Sequence, residues 1–105
     1  MSRKIDLCGK DDLLSGTVQR FDADGLAIAI VRIEDDFYAI GDRCSHANYS
    51  LSEGELLLEE KELECWKHGS TFSLETGKPT CLPATRPVPV YEVLLEGDRV
   101  LVVIS

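Results

Sequence analysis

No part of this sequence approaches the roughly 20 consecutive apolar residues that a membrane-crossing helix needs. Its opening, MSRKIDLCGK, has no apolar stretch of the kind a secretory leader carries, so a cytoplasmic protein is expected. Basic residues are scarce, 11 against 19 acidic, for a formal net charge of −8. That balance argues against nucleic acid, whose phosphates demand a basic stripe, and against an anionic membrane surface. It suits a partner with a basic face, because complementary fields raise the rate of encounter, although charge also serves solubility alone. Histidine is scarcer still, with only His46 and His68 in the chain. Internal repeats, low-complexity tracts and linkers are absent as well.

What is present reads as one domain over residues 1–105, with 44% hydrophobic and 29% charged residues. Turn signals recur at short intervals: Asp22-Ala23-Asp24-Gly25, Glu34-Asp35-Asp36 and Glu96-Gly97-Asp98. Between them lie runs rich in β-branched and aromatic residues, LAIAIVRI, FYAI, VPVYEVLL and RVLVVI, which read as strands. VLLEGDRVLVVI predicts a hairpin with a Gly-Asp loop, and AIAIVRIEDDFYAI predicts another. The expected fold class is all-β, a small barrel or sandwich. One stretch conflicts with this: ELLLEEKELE consists of strong helix formers, yet its leucines follow no helical spacing.

The middle of the chain, about 41–86, holds both histidines, three of the four cysteines and the only tryptophan. Here Cys44-Ser45-His46 is followed, eighteen residues later, by Cys65-Trp66-Lys67-His68. Two thiolates and two imidazoles from two tight loops suit tetrahedral zinc or iron–sulfur coordination. A zinc finger usually pairs its cysteines in one knuckle and its histidines in another, whereas here each loop offers one of each. Such interleaving suits two metal atoms, with both cysteines on one iron and both histidines on the other, as in a Rieske [2Fe–2S] centre. A structural Cys₂His₂ zinc site remains the rival. A catalytic Cys–His pair is weaker, because no third orienting residue is recognisable.

The motifs CSHANYSLSEG, ECWKHGSTFSLETGKP and LPATRPVPVYEVLLEGDRVLV resemble the two cluster loops, proline loop and final hairpin of Rieske-type [2Fe–2S] ferredoxins serving non-haem iron oxygenases. The resemblance covers almost the whole chain. It implies small antiparallel sheets with an inserted cluster-binding subdomain, about 41–86. It implies that Cys44 and Cys65 bind the inner iron of one [2Fe–2S] cluster per chain, and His46 and His68 the outer iron. Gly69 would let the backbone approach the cluster and turn sharply, Ser70 would hydrogen-bond a cluster sulfur, and Pro83, with Pro79 and Leu82, would shield the cluster from water. Trp66 would pack on the subdomain core and Lys67 would be solvated. ELLLEEKELE becomes a hairpin joining the two loops, with its turn near Glu59 to Lys61. Cys8 and Cys81 are expected to be ordinary reduced thiols.

By the same resemblance the protein is not an enzyme but a monomeric electron-transfer component, passing one electron at a time from a reductase to an oxygenase or similar acceptor. An oxygenase's catalytic subunit needs a mononuclear iron site with two further histidines, and none is left over. A Rieske-like accessory subunit, of nitrite reductase type or associated with iron–sulfur assembly, is the alternative within the same fold. Respiratory Rieske proteins add a cysteine to each loop and brace the cluster with a disulfide, but Tyr49 and Lys67 occupy those positions here. Where that branch has a cluster-facing tyrosine, this chain has Phe72. Fewer hydrogen bonds to sulfur leave the more negative, reduced cluster less stabilised. The expected midpoint lies toward the low end of the Rieske range, about −150 mV rather than +300 mV. It should fall at alkaline pH, because imidazole on ferric iron loses its ring proton more readily than on ferrous iron. Potentiometric titration over a pH series checks both statements: a clearly positive midpoint refutes the first and a flat alkaline limb the second.

Overall fold

The computed structural model describes residues 3–23, 25–43, 50–65, 69–80 and 86–104. LAIAIVRI forms the strand β3 (Leu26–Ile33), and its unbroken apolar character has a structural cause. Ile28 and Ile30 face one apolar cluster while Ala29 and Val31 face a second, and all four are wholly buried. A strand covered on both faces cannot alternate apolar with polar residues, so the period-2 signal disappears. Burying each of the larger side chains contributes about 1.5–3 kcal/mol relative to leaving it in water. The adjacent strand β4 (Asp36–Gly41) repeats the pattern, with Ala39 in the first cluster and Ile40 in the second.

The remaining strands are β1 (Arg3–Gly9), β2 (Thr17–Ala23), β5 (Glu55–Leu57), β6 (Glu62–Glu64), β7 (Thr71–Ser73), β8 (Val90–Glu96) and β9 (Arg99–Ile104). They form an antiparallel six-stranded sheet, ordered β1-β9-β8-β4-β3-β2, and a separate antiparallel sheet, β5-β6-β7. The larger sheet is two halves joined at a narrow seam, where β4 and β8 pair only through Ala39–Tyr91 and Ile40–Val90. Both predicted hairpins are present, β3–β4 around Glu34-Asp35 and β8–β9 around Gly97-Asp98. This is the all-β architecture of small antiparallel sheets that the sequence predicts.

ELLLEEKELE is the β5–β6 hairpin, its turn over 58–61 closed by Lys61 at φ 55°. Helix propensity loses here because Leu56 and Leu63 face each other across the ladder and pack on the second cluster with Phe72. Strands β1 and β2 are not among the apolar runs, because each turns one side to water. In β1, Asp6 pairs with Leu101 and Cys8 with Val100, so Leu7 is an extra residue. The bulge turns consecutive Leu7 and Cys8 toward the same cluster and hides the alternation. Asp6 lies outside, where a bidentate hydrogen bond from Arg99 (2.7 and 3.0 Å) holds its carboxyl below the usual carboxylate range.

The chain returns from the small sheet through a close contact at Gly77. Its N–H donates to Ser73 O (2.8 Å) and its carbonyl accepts from Val88 N–H (2.8 Å). Gly77 has φ +75°, and a Cβ added there would sit 2.2 Å from Val88 O. Both the left-handed backbone and the contact forbid a side chain. Gly77→Ala should therefore destabilise the fold by about 2–4 kcal/mol, read from urea denaturation midpoints.

Candidate metal centre

Each of the two CxH and CxxH loops leaves the fold through a closed neck. At the first, Arg43 and Ser50 form an antiparallel bridge across residues 44–49. Asp42, just past β4, secures it: its carbonyl accepts Leu51 N–H (2.5 Å) and its Oδ1 accepts Ser52 N–H (2.8 Å). Its Oδ2 accepts the Ser50 hydroxyl, and Arg20 Nε of β2 lies 3.7 Å from the same oxygen. Ser50 and Ser52 hydroxyls are themselves 2.8 Å apart. The Asp42 side chain is only 1% exposed.

At the second neck, Cys65 follows β6 and Ser70 precedes β7. Cys65 N–H donates to Ser70 O (2.7 Å) and Gly69 N–H to Cys65 O (3.0 Å), so residues 66–68 are spanned by a tight link. Gly69 has φ +74°, a conformation that glycine adopts without strain, as the sharp turn expected there requires. Ser70 is wholly buried. A third neck encloses residues 78–87, where Val88 N–H donates to Gly77 O (2.8 Å). Beside it Thr80 N–H donates to Thr71 O (2.7 Å), the two threonine hydroxyls are hydrogen-bonded, and Pro79 bridges to Phe72.

These necks meet on one floor. Leu51 from the first, and Cys65, Phe72 and Leu74 from the second and third, are all wholly buried in one cluster with Leu63, Ala29, Val31 and Ile40. Sequence positions far apart in the chain are thus held together by apolar packing. Cys8 lies in the other cluster, where burial and the nearby Asp12 carboxylate push its thiol pKa up. It is no neighbour of Cys65.

Of the residues expected at the cluster, Cys65, Gly69 and Ser70 are described and stand together at the second neck. Cys44, His46, His68 and Pro83 lie outside the described residues, as do Tyr49, Trp66, Lys67, Cys81 and Leu82. Among the described residues, no group of three or more His, Cys, Asp and Glu side chains converges as a metal site. Cys65 is an unpaired, wholly buried thiol at the mouth of its loop, on the floor that carries the other loop's mouth. A soft donor so placed, with one cysteine and two histidines in the intervening loops, fits an iron–sulfur cluster. The sequence reading missed Asp42, Ser50, Ser52 and Arg20. The available signal was an aspartate ending the apolar run FYAIG, two residues before Cys44.

Comparison with known proteins identifies the family. The Rieske [2Fe–2S] domain model matches residues 3–92, and the chain belongs to that family. A 3-phenylpropionate/cinnamic acid dioxygenase ferredoxin subunit from Shigella boydii is 41% identical over 99 residues, covering 94% of this chain and 92% of that one. The ferredoxin of carbazole 1,9a-dioxygenase from Nocardioides aromaticivorans superposes with a TM-score of 0.92 at 38% identity, over 94% of this chain and 95% of the other. A chain from a complex of reduced oxygenase and oxidized ferredoxin in carbazole 1,9a-dioxygenase gives 0.88 at 37% identity, over 94% and 91%. The family's cofactor is one Rieske [2Fe–2S] cluster per chain.

Proposed function

We propose that the protein is a one-electron carrier of a dioxygenase system, accepting electrons from a reductase and delivering them to a non-haem iron oxygenase. The observation that carries this is the 41% identity to a dioxygenase ferredoxin subunit over nearly the full length of both chains. The fold supports it: among the described residues, one apolar cluster holds Leu51, Cys65, Phe72 and Leu74, from the mouths of the loops, together. The catalytic subunit's mononuclear iron site would need histidines this chain does not have. No helix is long and apolar enough to cross a membrane among the described residues. The accessory-subunit and zinc readings have no comparable support.

Cys44 and Cys65 would hold one iron and His46 and His68 the other, within an insertion of about 41–86. The cluster supplies reversible one-electron transfer; the polypeptide supplies its seat and its surroundings. The apolar floor under Cys65 excludes water on one side. Phe72 at that floor brings no hydroxyl, in keeping with a low midpoint. Gly69 and Ser70 shape the turn that returns the chain to β7, and Pro83 belongs to the segment that would cover the cluster.

The purified protein should be red-brown, contain about two irons and two sulfides per chain, and give a low-g EPR signal once reduced anaerobically. Cys65→Ala and His68→Ala should abolish that signal, while Cys8→Ser keeps it. A colourless, zinc-containing parent would refute the reading.

The partner should present a basic face. In the β5–β6 ladder Glu55 stands directly opposite Glu64, with Glu62 beside them on the face away from Leu56 and Leu63. Like charges in register destabilise a sheet, so this face is costly unless something else meets it. Glu55→Gln combined with Glu64→Gln should stabilise the fold by about 0.5 kcal/mol yet slow electron exchange several-fold at low salt. Stopped-flow kinetics across an ionic-strength series checks this, because the deficit should vanish at high salt.

A further inference from the structure

Asp42 is buried to 1% exposure, yet its side chain belongs to neither apolar cluster. Burying a carboxylate is expensive unless it is paired and hydrogen-bonded, and an apolar residue of similar volume often serves stability as well. Stability alone therefore does not account for it, and its contacts indicate what does. They all converge on the neck of one loop. Besides the bonds to Ser50, Ser52 and Leu51, its own N–H donates to Ala27 O at the start of β3 (3.0 Å). Arg20, 3.7 Å from Oδ2, also bonds Asp22 within β2 (3.1 Å). One residue thus ties the end of β4, the start of β3, the side of β2 and the far strand of the loop. It does so two residues before Cys44.

We propose that Asp42 is a positioning residue for the metal centre, fixing the width and orientation of the first loop's neck so that Cys44 and His46 are presented in register with the second loop. This rests on the reading of Cys44 and His46 as ligands. The two carboxylate oxygens set two separate points beyond the loop, Ser50 Oγ and Ser52 N–H. Widening or twisting of the neck would break one of these bonds. Arg20 holds the carboxylate from the scaffold side, so the loop is referenced to β2 and not only to its own backbone. Groups that orient metal ligands through hydrogen bonds commonly affect metal retention by 10–100-fold.

The test uses the holo-protein and four variants. Asp42→Ala removes both acceptors. Asp42→Asn keeps an oxygen for Ser52 N–H and places an amide donor against the Ser50 hydroxyl. Ser50→Ala removes one partner and carries the test if Asp42→Ala does not fold. Val102→Ala, in the other cluster, is the control for general destabilisation. Asp42→Ala is expected to lose iron to a chelator about 10-fold faster than the parent and to broaden the EPR signal of the reduced protein. Ser50→Ala should show the same changes in smaller measure, and Asp42→Asn should restore both retention and line width. Removal of the negative charge should move the midpoint positive in both Asp42 variants. Val102→Ala should lower the melting temperature with signal and midpoint unchanged. Iron retention and EPR line shape equal to the parent's in Asp42→Ala, or in Ser50→Ala where Asp42→Ala fails to fold, would overturn the positioning role alone. A parent with no Rieske signal would overturn the ligand reading, and the positioning role with it.

Discussion

The packing of β3 against both of its faces is the constraint on which the rest of this fold depends. Ile28 and Ile30 supply one cluster and Ala29 and Val31 the other, so a single strand serves as common wall to two cores. The three-stranded sheet is too short to bury its own apolar face and is stable only because this wall is there to receive Leu56, Leu63 and Phe72. The small alanine at position 29 and the larger valine at 31 set how closely that sheet approaches. The metal centre's necks are built on the same packing. The floor of those necks is thus continuous with the packing of the scaffold.

What could be read from the sequence follows from this arrangement. Strands buried on both faces announced themselves as continuous apolar runs, which is why LAIAIVRI and FYAI were legible, and RVLVVI was as apolar. VPVYEVLL was legible too, although β8 exposes Val90 and Leu95, because its apolar residues are crowded together. Strands β1 and β2 were not, since TVQRFDA mixes charge into its outward positions and the Leu7 bulge breaks the alternation of RKIDLCG. The hairpin within ELLLEEKELE could not be derived from local preference, because its strands are held by Ala29, Val31 and Ile40, which lie more than fifteen residues earlier in the chain. The proposed donor set stood out because cysteine and histidine are rare and closely paired. Asp42 was hidden for the opposite reason. Acidic residues are abundant here, and nothing local separates a buried aspartate from a solvated one until Ser50 and Ser52 are placed beside it.

The three necks also differ in how they are closed. The first relies on a buried carboxylate and two serines, the second on a backbone link between Cys65 and Ser70, and the third on a backbone link between Gly77 and Val88. Each closure satisfies backbone groups that a loop leaving a core would otherwise strand.

The apolar floor beneath Cys65 has a further consequence for traffic. Leu51, Leu63, Phe72 and Leu74 close the inward side completely, and β3 and β4 lie behind them. A cluster seated at Cys65 would be reached over the shortest distance from the loop side, because the thickness of the scaffold lies on the other. A carrier approached from that one side would not sit between its donor and its acceptor as a fixed wire. It would release the first before engaging the second, and its working cycle would be a shuttle between two short-lived encounters.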